Sequence, residues 1–116
     1  MYTTEIEING NKVQVRFGAY VIKCLADEGI ALQELGEKIK TNPADVIPKI
    51  IFYGIQNASP DWKGFGVTLK DVYDWIDEDG RGLFSDEVIE ITNLFAKQLT
   101  DNLPKNLKAG KASPQK

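Results

Sequence analysis

The chain has 116 residues, 42% apolar and 27% charged, which is enough for one modest core and ordinary for a globular protein. It has no histidine and a single cysteine, which excludes histidine-based dyads and triads, imidazole metal ligands, CxxC zinc or redox patterns and an intramolecular disulfide. The net charge of −3 conceals a division: Lys105, Lys108, Lys111 and Lys116 stand in an acid-free tail, so all seventeen acids belong to the body, a poor balance for nucleic acid, which is bound mainly through its phosphates.

Residues 2–17 alternate apolar and polar on both sides of Asn9-Gly10, the dipeptide that best supplies the two positive φ angles of a type I′ turn. A two-residue loop there sets Ile6 opposite Val13, Thr4 opposite Val15 and Tyr2 opposite Phe17 on one face. On the other face it pairs Glu7 with Lys12, Glu5 with Gln14 and Thr3 with Arg16. An isolated hairpin is marginal in water, so its apolar face needs cover from the rest of the chain.

Helical patterns follow. Val21, Ile22, Cys24 and Leu25 make a stripe over about 19–28 that Gly29 is placed to end, with Cys24 read as a small buried core residue. Leu32, Leu35 and Ile39 predict a helix over about 31–41, weakened by Gly36. Asn42-Pro43-Ala44-Asp45 has the chemistry of a helix start: a cap, proline at the first position and an acid in the first turn. The helix it opens, about 43–56, is apolar most of the way round and is expected to be the central element, with Pro48 shifting its start or bending its first turns. The competing reading is a buried strand over Ile50–Ile55.

Residues 56–67 form the longest internal loop, in which Trp62 and Phe65 are either a partner anchor or a lid folded over the core. Thr68 and Asp71 resemble a capping box that opens a helix over about 69–79, with Trp75 on its core stripe. The acids Asp71, Asp74, Asp77, Glu78 and Asp79 read as a solvated helix face or as a negative patch for a basic partner. The last helix, about 86–101, carries Val88, Ile91, Phe95 and Leu99, widened by Ile89 and Leu94. These elements predict an α+β fold: an N-terminal antiparallel hairpin packed on about five short helices in one domain over 1–103, followed by a disordered basic tail over 104–116.

No catalytic constellation emerges, and no catalytic, cofactor or metal residue is assigned. Gly64-Phe65-Gly66 lacks the spacing of a phosphate loop. Asp77-Glu78-Asp79-Gly80 imitates part of a calcium loop, but one frame puts Trp75 at position one and the other puts Val88 at position twelve, so it reads as the turn that ends a helix. No apolar run approaches the roughly 20 residues of a membrane span, no secretory signal is expected at the N-terminus, and the single cysteine suits a reducing cytoplasm.

The order of "E-I-N-G-N-K-V-Q-V-R-F-G-A-Y", "L-A-D-E-G-I-A-L-Q-E-L", "I-P-K-I-I-F-Y-G-I" and "V-T-L-K-D-V-Y-D-W-I-D-E" is similar to that of the tail assembly chaperones of long-tailed bacteriophages with non-contractile tails, over residues 4–100. The resemblance implies a cytoplasmic, non-enzymatic assembly factor, absent from the finished virion, that keeps the tape measure protein soluble and recruits tail tube subunits. It also implies a longer product made by ribosomal frameshifting, whose slip site in that family often encodes Gly-Lys, as at Gly110-Lys111 here.

A holding protein of this kind needs exposed apolar anchors and a charged body, and Trp62, Phe65 and the hairpin edges are where a partner surface is expected. Self-association through a hairpin edge is a further expectation. Three other classes stay in view: a small phage or mobile-element adaptor that binds a host protein, nucleic-acid binding through the lysine tail, and an enzyme that uses carboxylates alone.

Overall fold

The structure, a computed structural model, describes residues 2–58 and 66–101. Strands β1 (Thr3–Ile8) and β2 (Asn11–Arg16) form an antiparallel hairpin. Its register pairs Thr3 with Arg16, Thr4 with Val15, Glu5 with Gln14, Ile6 with Val13, Glu7 with Lys12 and Ile8 with Asn11. Asn9 and Gly10 sit at φ 55° and 77°, the left-handed pair that a type I′ turn demands. Phe17 N–H donates to Tyr2 O at 3.0 Å and extends the ladder by one more pair. Ile6, Ile8, Val13, Val15 and Phe17 are buried on one face, while Glu5, Glu7, Lys12, Gln14 and Arg16 stand exposed on the other.

Five helices follow: α1 (Ala19–Asp27), α2 (Leu35–Thr41), α3 (Pro43–Ala58), α4 (Leu69–Asp77) and α5 (Asp86–Asp101). The fold is therefore α+β, a hairpin on a helical layer, and no helix among the described residues is long and apolar enough to cross a membrane. The expected tail over 104–116, and Gly110 and Lys111 with it, lies outside the described residues.

Three expectations need correction. Residues 31–34 are not α-helical: Ala31 is extended and Leu32–Glu34 is a single 3₁₀ turn before α2. The cause lies at the end of α1, where Gly29 (φ 89°) donates to Ala26 O and Ile30 N–H donates to Leu25 O at 2.9 Å, a Schellman closure. That closure folds Ile30 into the core, and Leu32 is left exposed. Cys24 is only half-buried, on the flank of α1 that meets Tyr20, whose phenol is held above its usual pKa first by a hydrogen bond with the thiol. Ile89, assigned to the apolar stripe of α5, is exposed, and the buried position near the end of that helix belongs to Gln98.

The segment over Ile50–Ile55 is helix, not strand, and α3 runs from Pro43 through a buried Pro48 with no shift of its start. Val46, Ile47, Ile50, Ile51, Gly54 and Ile55 are all buried, so α3 is central, as its pattern requires. It lies directly against β2. A Cβ on Gly54 would stand 2.5 Å from Val15 Cγ1 and 2.8 Å from Phe17 Cε1, so only glycine permits this crossing. Phe17 in turn packs on Phe95 of α5, with ring centroids 5.2 Å apart, which carries the contact to the last helix. At the far end of the crossing Asn57 Nδ2 donates to Arg16 O at 2.9 Å.

Gly54 and Gly36 should therefore respond in opposite directions to the same substitution. Helix propensity alone favours alanine by about 1 kcal/mol. At Gly36 a Cβ meets nothing within 4 Å, so Gly36→Ala should raise stability by up to about 1 kcal/mol. At Gly54 the overlap with two buried side chains outweighs that gain, and Gly54→Ala should destabilise by about 1–3 kcal/mol. Urea midpoints of the two variants check both signs.

Candidate functional site

Among the acids singled out from the sequence, Asp71 has a structural duty. Thr68 N–H donates to Asp71 Oδ2 at 2.9 Å and Asp71 N–H donates to Thr68 Oγ1 at 3.2 Å, a complete capping box at the start of α4. The donated Thr68 N–H is the main reason the Asp71 carboxyl lies below its ordinary pKa, with a smaller share from the side chain of Asn9, which ties the hairpin turn to α4. Asp74 is exposed and paired with Lys70 at 2.7 Å, and Asp77 is exposed at the end of the same helix. These three share a face but converge on nothing. Trp62 and Phe65 lie outside the described residues.

Beyond α4 the chain closes through a 3₁₀ turn, Glu78–Gly80, as the reading of Asp77-Gly80 as a helix end requires. Arg81 then folds back over Trp75, its guanidinium 4.3 Å from the ring centre. It donates to Trp75 O and to Glu87 Oε1, joining α4 to the first turn of α5. Among the described residues no group of three or more acid or thiol side chains is arranged to hold a metal ion.

A second polar network binds α1 to α3. Tyr53 Oη donates to Glu28 Oε2 at 2.6 Å, and Lys49 Nζ lies 3.3 Å from Glu28 Oε1 and 3.2 Å from Asp45. The Tyr53 hydroxyl holds the Glu28 carboxyl below its ordinary value, helped by Lys49, while burial and the facing carboxylate raise the phenol. All of these groups are satisfied by one another, which marks a structural brace.

The remaining feature is a groove. It runs between the outer edge of β1 and the flank of α5, has a volume of about 260 Å³, and is lined by Thr3, Thr4, Glu5, Ile6, Glu87, Glu90, Ile91 and Leu94. A shallower depression continues it over Glu5, Glu7, Lys12 and Glu87. Sequence reading treated Glu5 and Glu7 only as cross-strand partners and assigned neither Glu87 nor Glu90 to a site. Their i, i+3 spacing, extended by Leu94, could have marked a helix flank, but nothing local shows which strand that flank faces. Phe84, 70% exposed before α5, was also missed.

Searches against protein-family models, curated proteins and solved structures gave no match.

The capping box makes a pH-dependent prediction. Because the Asp71 pKa is lowered on folding, its contribution is complete above the unfolded value of about 3.9 and is lost as the pH falls through the lower folded value. Asp71→Ala should cost about 1 kcal/mol near neutral pH, and the gap to the parent should close in strong acid. Urea titrations at about pH 7 and about pH 2.5 measure it.

Proposed function

We propose that this chain is a protein-binding assembly factor, a tail assembly chaperone of a long-tailed bacteriophage with a non-contractile tail. In this reading it keeps the tape measure protein soluble and recruits tail tube subunits, and it performs no catalysis. It works in the host cytoplasm and does not remain in the finished virion.

The observation that carries the reading is the open edge of β1 beside a groove whose polar walls are glutamates and threonines. Such a wall offers hydrogen bonds and charge for holding another chain. The finer identity rests on the resemblance of the sequence patterns over residues 4–100, which fall on the hairpin, the short first helix, the apolar central helix and the capped acidic helix. The junction at Gly110-Lys111 belongs to the same proposal. A heptanucleotide at codons 110 and 111 that cannot re-pair in the −1 frame would remove that part of it.

Co-expression tests the proposal. A tape measure protein made with this chain should remain in the soluble fraction and co-purify with it, joined by tube subunits, and should precipitate when made alone. Recovery of a host protein in place of both would move the assignment to an adaptor.

A further inference from the structure

We infer that the outer edge of β1 binds an extended segment of a partner protein whose residues alternate basic and apolar, adding it to the hairpin as a third strand. The inference deepens the holding role proposed above and rests on it, but the two can fail separately.

The register decides which backbone groups are on offer. Tyr2 and Phe17 form a hydrogen-bonded pair, as do Ile8 and Asn11, which flank the two-residue turn. The even-numbered residues of β1 therefore turn their N–H and C=O toward β2. Thr3, Glu5 and Glu7 turn theirs outward, and among the described residues the sheet has no further strand on that side. The two edges of the hairpin are not equivalent. On β2 the outward Arg16 carbonyl is already taken by Asn57, whereas the groove opens beside β1.

The same register fixes the chemistry of the guest. Residues directly opposite Thr3, Glu5 and Glu7 would place their side chains on the exposed face next to two glutamates, with Glu87 and Glu90 across the groove. Glu87 also holds Arg81 at 2.9 Å, and Lys12 stands beside Glu7, so the charge is partly offset at the turn end and least so around Glu5 and Glu90. Basic side chains suit those positions. The alternating positions would point inward, over Ile6, Ile91 and Leu94, where apolar side chains suit.

Other occupants fit less well. A second copy paired β1 to β1 would set glutamates against glutamates. Paired β1 to β2 in a continued sheet, successive copies would be displaced by two strands, about 10 Å. The molecule is 25 Å across its narrowest axis, so the helical layers would collide. The lysines of this chain's own tail fall at 105, 108 and 111, a spacing of three that sends successive side chains to opposite faces of a strand. A thin segment of another protein meets neither obstacle.

The probe is fluorescein-labelled Lys-Val-Lys-Val-Lys-Val-Lys, with Lys-Lys-Val-Val-Val-Lys-Lys as a control of equal charge and composition. Binding to the full chain is followed by anisotropy and by amide shifts and hydrogen exchange. The expected result is saturable binding at least about tenfold tighter than the control, with new protection at Thr3, Glu5 and Glu7. Glu5→Lys and Glu90→Lys, both at exposed positions, should each weaken it several-fold while leaving the amide spectrum elsewhere unchanged. Equal binding of the control, shifts that map to another surface, or no saturation would overturn the inference. So would protection of these amides without peptide, whether it grows with protein concentration (a second copy) or vanishes when Lys105, Lys108, Lys111 and Lys116 are replaced by glutamine (the tail). Solubilisation of a tape measure protein alongside a negative peptide result would leave the proposed function standing and remove this site alone.

Discussion

The packing turns on the crossing of α3 over β2 at Gly54. A two-stranded sheet has little stability of its own. Here its inner face, Ile6, Ile8, Val13, Val15 and Phe17, is buried beneath the helices, each such side chain contributing roughly 1.5–3 kcal/mol if fully removed from water. That burial depends on a close approach, and the missing Cβ of Gly54 is what permits the helix backbone to reach Val15 and Phe17. Phe17 then forms the contact with Phe95, so one vacant side-chain position determines how near both α3 and α5 come to the hairpin.

Much of this architecture is written locally and could be read from the chain. The hairpin register follows from strict alternation plus Asn9-Gly10, because a slip by one residue would expose every apolar side chain. The start of α4 follows from Thr68 and Asp71, where the short aspartate completes the box despite its length. Leu32 and Ile89 show where local pattern fails. Each fits an apolar spacing, but the chain closure at Ile30 and the rotation of α5 against the hairpin decide which side faces water. Gly54 read from sequence is only a weak point in a helix, and its purpose depends on side chains some forty residues earlier in the chain.

The candidate site was less legible for the same reason. Glu5 and Glu7 lie at the start of the chain and Glu87 and Glu90 near its end, and only the packing of α5 alongside β1 makes them two walls of one groove. Of the acids that were legible, Asp71 is engaged in capping α4 and Asp74 is paired with Lys70. The hairpin thus divides its duties: the inner face builds the core, and the outer edge stays polar, open and negatively charged. Exposed strand edges invite indiscriminate pairing, and a row of like charges restricts which chains can approach.

The bond from Tyr2 Oη to Asp101 Oδ2, 2.8 Å long, joins the two extremities of the described chain at one corner of the molecule. A truncation that removes either Tyr2 or Asp101 therefore loosens the start of β1 and the end of α5 together.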